Sequence, residues 1–140
     1  ESDLNPFGFH EWQENQRISS MMSPTMILRN GKPQLVLGSG GSNRIRTAIL
    51  QVISNLIDFH LPIDEAVKHP RVHWENNVFS LEPFPHREAI LNRLQLPELT
   101  QVVPWKQQNM FYGGVHAVAR NESGHMEGAG DPRREGVSLI

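Results

Sequence analysis

The stretch that most constrains the fold is residues 35–57. Leu35-Val36-Leu37 reads as a strand, Gly38-Ser39-Gly40-Gly41-Ser42 ends it, and a helix follows at once. Ile45, Ala48, Ile49, Val52, Ile53, Leu56 and Ile57 recur at spacings of 3, 1, 3, 1, 3 and 1, which is one face of an α-helix. Arg44, Gln51 and Asn55 occupy the opposite face. The helix is therefore amphipathic and is expected to cover one side of a sheet, with Ser42 or Asn43 as its N-cap.

The flanking sequence supplies that sheet. Residues 25–38 read as a β-hairpin, because Asn30-Gly31 suits a two-residue turn in which both residues need positive φ. Pro33 argues that its second strand starts after the proline. Both strands are continuous apolar runs, which predicts burial on both faces as in a layered sandwich. Residues 63–69 read as a short helix ended by Pro70. Short strands are expected at 72–74 and 78–81 around Asn76-Asn77, a helix at 86–94, and a weak strand at 102–103. A second hairpin is expected from 115–120 and 125–129. Residues 1–22 read as loop, with Phe7, Phe9 and Trp12 in it, and the tail from Gly130 is turn-rich. Strands and helices mix without a regular βαβ alternation, so the class is α+β.

Composition narrows function mostly by exclusion. The chain has 140 residues, enough for one domain spanning 1–140. With 13 basic and 15 acidic residues the net charge is -2, so no nucleic acid or anionic membrane is expected as partner. There are no cysteines, which removes disulfides and thiolate metal sites. No apolar run approaches the roughly 20 residues of a spanning helix. The chain begins at Glu1 in polar sequence without an initiator Met, and further chain is expected before it.

Few segments carry chemistry by themselves. The turn at 38–42 joins a strand to a helix, where free N–H groups and the helix dipole can hold an anion or a developing oxyanion. It can equally be a tight turn. It is neither a phosphate loop nor a dinucleotide fingerprint, and no cofactor is expected. The run Ser19-Ser20-Met21-Met22-Ser23-Pro24-Thr25 offers hydroxyls that can bind a carboxylate or simply cap turns. His69 and His73 have the spacing of a helical metal pair, but Pro70 lies between them, and no metal site is expected. Asp131-Pro132-Arg133-Arg134 can hold an acid or tie down the C-terminus.

The order of these pieces is more specific than any one of them. Ser20-Met21-Met22-Ser23-Pro24-Thr25, the Asn30-Gly31 hairpin, Gly38 through Ile45, Asp64-Glu65-Ala66-Val67 with Pro70-Arg71-Val72-His73, and Gly130-Asp131-Pro132-Arg133 follow one another along nearly the whole chain. In this order they resemble the γ-glutamyltransferase family, from the C-terminal part of its small subunit. The resemblance implies part of the four-layer αββα sandwich of the N-terminal-nucleophile hydrolases. It also implies a precursor that cleaves itself into two subunits, whose new N-terminal Thr attacks a γ-glutamyl amide such as glutathione. The amine of such a Thr can serve as its own base. That Thr would lie before Glu1, so the fragment alone is expected to be inactive.

By resemblance, Asp3 falls near the acidic residue that binds the substrate's α-amino group. Ser20 matches the first of a Ser-Ser pair holding the α-carboxylate. The second falls on Met21, unless Ser19 and Ser20 fill both places. Gly40-Gly41 resembles the Gly-Gly oxyanion pair. Counted back from Arg44 without a gap, the pair falls on Gly41-Ser42 instead. The implied partners are the large subunit, the remainder of the small subunit and a small γ-glutamyl substrate. The implied compartment is periplasmic or extracellular. Unpaired strand edges are expected to make the fragment self-associate. Two other readings stay open: a related amide acylase, and a noncatalytic assembly module with the same fold.

Overall fold

In the computed structural model, which describes residue 4 and residues 7–9, 11–121 and 123–139, the first hairpin forms as expected. β1 (Thr25–Arg29) and β2 (Lys32–Gly40) flank Asn30 and Gly31, both at positive φ (52° and 75°). β2 nevertheless starts before Pro33, not after it. Pro33 pairs with Leu28 just beyond a register irregularity between Ile27 and Leu28. At such a bulge the missing N–H removes no regular ladder bond.

β6 (Gly114–Arg120) pairs with β2, and β7 (Met126–Ala129) pairs with β6, giving an antiparallel sheet of order β1-β2-β6-β7. The long helix α1 (Arg44–Ile57) and the short α2 (Ile63–Lys68) pack on one face. Leu35, Leu37, Val115, Ala117 and Ala129 from the sheet meet Ile45, Ile49, Val52, Ile63 and Val67 from the helices. The seven-residue stripe read from the sequence is the face of α1 that enters this core, although Ile57 ends it half-exposed.

Burial on both faces of the strands does not occur among the described residues. Met26, Leu28, Val36, Val118 and Met126 point away from the helices and are exposed. The apolar runs thus cover one packed face and one apolar face that no described helix or strand covers.

A smaller sheet lies beside the helices. β3 (Val72–Glu75) pairs antiparallel with β4 (Val78–Leu81) across Asn76 and Asn77, both at positive φ. β5 (Gln101–Pro104) joins β4 in parallel. The helix expected at 86–94 is reduced to α3 (Arg87–Leu91), which buries no side chain.

A buried charge cluster ties these parts together and settles the role of the C-terminal motif. Asp131 Oδ2 accepts from Arg71 Nη2 (2.6 Å) and from the Val115 N–H (2.8 Å), while Oδ1 accepts from the Arg133 N–H (2.9 Å). Arg133 donates to Glu82 through both Nε and Nη2, and to the carbonyls of Val67 (3.2 Å) and His69 (3.0 Å). All four side chains are buried. Burial opposes the charge on Asp131, but Arg71, the two N–H groups and Arg133 more than reverse this. Its carboxyl therefore titrates below the ordinary value of 3.8. Asp131 and Arg133 anchor the tail across β6, α2 and the end of β4 and are not free to bind an acid, whereas Arg134 stays outside this cluster and is exposed.

Candidate active site

β2 and β6 end together, with Gly40 opposite Gly114. Beyond Gly40 the chain reverses into α1 through Gly41 (φ 132°) and Ser42 (φ 56°). The carbonyls of Gly41 and Ser42 accept from the Arg44 and Ile45 N–H groups (3.2 and 3.0 Å). Among the described residues, the N–H groups of Gly41, Ser42 and Asn43 meet no acceptor. They cluster at the positive end of a 14-residue helix, an arrangement suited to an anion.

The turn is braced on several sides. Ser39 Oγ donates to the Gly40 carbonyl (3.1 Å) and accepts from the Gly114 N–H (3.3 Å). Gly113 lies directly against Gly41: a Cβ built on Gly41 would sit 2.8 Å from the Gly113 Cα. The stem of Arg134 occupies the space a Cβ on Gly114 would need, and its guanidinium lies beside Gly40 and Gly41. That adds positive charge next to the turn. Arg44 donates from Nε to the Phe111 carbonyl (3.1 Å), with its guanidinium 4.7 Å from the centre of the Phe111 ring.

Asn43 precedes the first helical residue, but its side chain does not cap α1. Its Nδ2 donates instead to Glu75 Oε1, at the end of β3. Glu75 Oε2 lies 3.5 Å from His73 Nε2, and His73 Nδ1 lies 2.9 Å from Thr47 Oγ1 on α1. His73 is buried, and burial is the main reason its pKa falls below the ordinary 6.5; Arg44 and Arg46 push the same way, and Glu75 opposes them.

The other residues singled out by the sequence are distributed as follows. Asp3 lies outside the described residues. Ser19 and Ser20 are exposed, and Ser20 Oγ accepts from the Met22 N–H (3.2 Å). Thr25 opposes Leu37, so the loop before it runs out at the end of the sheet where β2 meets the turn. The Met21 side chain packs against the hydrophobic core. His69 follows α2 and is exposed, while His73 is buried on a strand, so the pair does not share a helical face. No group of three or more His, Asp or Glu side chains among the described residues is placed to hold a metal. Gly113 and Glu75 escaped the sequence reading, which took up Arg134 only as part of the C-terminal motif and His73 only as half of a metal pair. The Gly113-Gly114 doublet before a strand was the one signal available.

Helices laid on one face of an antiparallel sheet are an architecture shared with solved gamma-glutamyltranspeptidases. The gamma-glutamyltranspeptidase from Pseudomonas nitroreducens complexed with L-DON superposes with a TM-score of 0.73 at 32% identity, over 92% of this chain and 66% of that one. A model of the gamma-glutamyltranspeptidase family matches residues 2–140, and the chain belongs to that family. The glutathione hydrolase proenzyme of Pseudomonas aeruginosa is 33% identical over 132 residues, or 91% of this chain and 23% of the relative. The acylase ACY 1 proenzyme of Pseudomonas sp. (strain SE83) is 34% identical over 124 residues, or 89% and 21%. The chain spans less than a quarter of the length of these two relatives.

Proposed function

We propose that this segment supplies the oxyanion-stabilising and substrate-holding part of an enzyme that cleaves or transfers γ-glutamyl groups. The observation that carries the reading is the Gly41-Ser42-Asn43 turn, whose N–H groups are unpartnered at the head of α1. A carbonyl attacked by a nucleophile gains negative charge on oxygen, and preorganised N–H donors lower the energy of that species. Gly41 belongs to either register of the oxyanion pair. In this reading the Ser42 N–H is its partner, because Gly40 closes the β2 ladder opposite Gly114 while Ser42 lies in the turn itself. In this reading Arg134 adds charge beside the turn, and Ser20 and Asp3 hold the ends of the substrate. The nucleophile is an N-terminal Thr elsewhere in the protein, exposed when the precursor cleaves itself, and the large subunit closes the site.

A related amide acylase is the second reading. Met21 favours it, because a core-packed thioether stands where the family's second carboxylate-binding hydroxyl falls. The full-length protein separates the two. It is purified, checked for self-cleavage on a denaturing gel, and assayed on γ-glutamyl-p-nitroanilide and on a glutaryl amide. Preferred turnover of the first supports the γ-glutamyl reading, and of the second the acylase. An intact, uncleaved chain inert towards both would overturn both.

A further inference from the structure

The oxyanion turn is held from behind by a chain of polar groups that no reaction step requires. Asn43 follows Ser42 directly, and its side chain reaches away from α1 to the smaller sheet, where Nδ2 donates to Glu75 Oε1. The other oxygen of the same carboxylate faces His73 Nε2 at 3.5 Å, and His73 Nδ1 meets Thr47 Oγ1 at 2.9 Å, one turn into α1. The loop therefore runs from the start of α1 through the end of β3 and back to α1. Resting on the proposed oxyanion role of the turn, we propose that Glu75 is a positioning residue: through Asn43 it sets the orientation of the Gly41 and Ser42 N–H groups, and His73 governs how firmly it does so.

Three features support this. First, Asn43 gives up the local capping bond that its residue type favours at a helix start. Its carboxamide is committed to Glu75, and its backbone is adjacent to Ser42. Second, Ser42 is a non-glycine residue at φ 56°. That conformation is unfavourable for an L-residue and needs surrounding contacts to hold it. Asn43 supplies one such contact at the next residue.

Third, the proton inventory around His73 allows two neutral tautomers and a charged form. Thr47 Oγ1 also lies 3.1 Å from the Arg44 carbonyl, which can take its hydrogen. If it does, Nδ1–H donates to Thr47, and a neutral ring turns the Nε2 lone pair towards Glu75. If Thr47 instead donates to Nδ1, the Nε2–H donates to Glu75. A doubly protonated ring also donates from Nε2 and attracts the carboxylate with a full charge. The charged groups facing His73 are Glu75 on its own strand and Arg44 and Arg46 from α1; the Phe111 ring also lies against it, edge-on at 6.1 Å between centroids. The imidazolium draws the carboxylate towards Nε2 with a full charge and so stretches the Asn43 bond at Oε1; protonation loosens the turn and turnover falls on the acid side. Burial and the two arginines confine this to pH below the ordinary imidazole range.

The test uses the full-length, self-cleaved enzyme and whichever amide it turns over. Glu75→Gln and Asn43→Ala should each lower kcat by about tenfold to a hundredfold, with KM changed less than about twofold, because a misaligned donor weakens the transition state more than the bound ground state. The double variant should be no worse than the worse single one, since both cut the same link. In Glu75→Gln the acid limb of the kcat profile assigned to His73 should vanish, and His73→Asn should remove it too. Thermal melting of each variant separates loss of fold from loss of alignment. Additive effects of the two substitutions, an unchanged kcat, or an acid limb that survives Glu75→Gln overturns the positioning role. If the parent enzyme turns over no amide at all, it is the underlying reading of the site that fails.

Discussion

Gly41 and Gly113 touch through their backbones. A Cβ on Gly41 would lie 2.8 Å from the Gly113 Cα, and one on Gly113 would lie 2.9 Å from both the Gly40 carbonyl oxygen and Ser39 Oγ. Gly113 is also at φ 78°, a conformation that L side chains rarely adopt. Gly113→Ala should therefore cost about 1–3 kcal/mol from strain, and displace the turn that carries the free N–H groups. The expected result is a lower urea midpoint together with a kcat loss of at least about tenfold in the full-length enzyme. Wild-type kinetics in a folded Gly113→Ala protein would show that the contact is not needed to place the turn.

The Arg71–Asp131 pair should dominate the stability of the segment. Both side chains are almost fully buried, and Asp131 additionally accepts from two backbone N–H groups. Asp131→Ala leaves Arg71 without its carboxylate, and breaking a buried pair in this way costs about 3–5 kcal/mol. Equilibrium unfolding measures it. The Asp131 carboxyl has a depressed pKa in the fold, so the stability it adds is complete above the ordinary value of 3.8 and is lost as pH falls below it towards the folded value. Asp131→Asn should flatten that part of the acid unfolding curve.

His73 gives a stability change at higher pH. Its folded pKa lies below 6.5, so between that folded value and 6.5 the unfolded chain binds more protons than the folded one. Stability must then rise with pH through this window and be lost as pH drops through it. Melting temperatures measured from about pH 7.5 down to pH 5 should fall, and His73→Asn should flatten the profile. A wild-type melting temperature that is level across this range would contradict the buried, neutral imidazole.

What could be read in the sequence followed from how local the physics was. The stripe on α1 and the Asn30-Gly31 turn are short-range patterns, and both recur in the structure where they were expected. The class α+β followed from them. The start of β2 was misplaced because Pro33 sits at a bulge, and a bulge depends on the partner strand. α3 came out shorter than expected, and it buries no side chain that would extend it. The site divides in the same way. The Gly-rich turn was visible because its residue types announce an unusual backbone. Asn43–Glu75 was invisible because the residues are 32 positions apart and neither is unusual alone. The Met21 side chain looked like a lost hydroxyl, and only the packing revealed that it serves the core.

The uncovered face of the larger sheet leads to the last expectation. β1 and β7 are its edges, and Val36 and Val118 are paired neighbours at its centre, 44% and 45% exposed. Met26, Leu28 and Met126 extend the same face. Apolar side chains placed together in water, beside two strand edges, favour association. Residues 1–140 expressed alone should therefore sediment as a dimer or larger species at micromolar concentration. Val36→Lys with Val118→Lys puts two like charges side by side on that face and should shift the sedimentation to a monomer. The helix-covered core is on the other side of the sheet, so the far-ultraviolet circular dichroism should stay the same. If the unsubstituted segment sediments as a monomer, the face is less sticky than its side chains imply. If the lysines change nothing while association persists, the strand edges hold the copies together, and the apolar face does not.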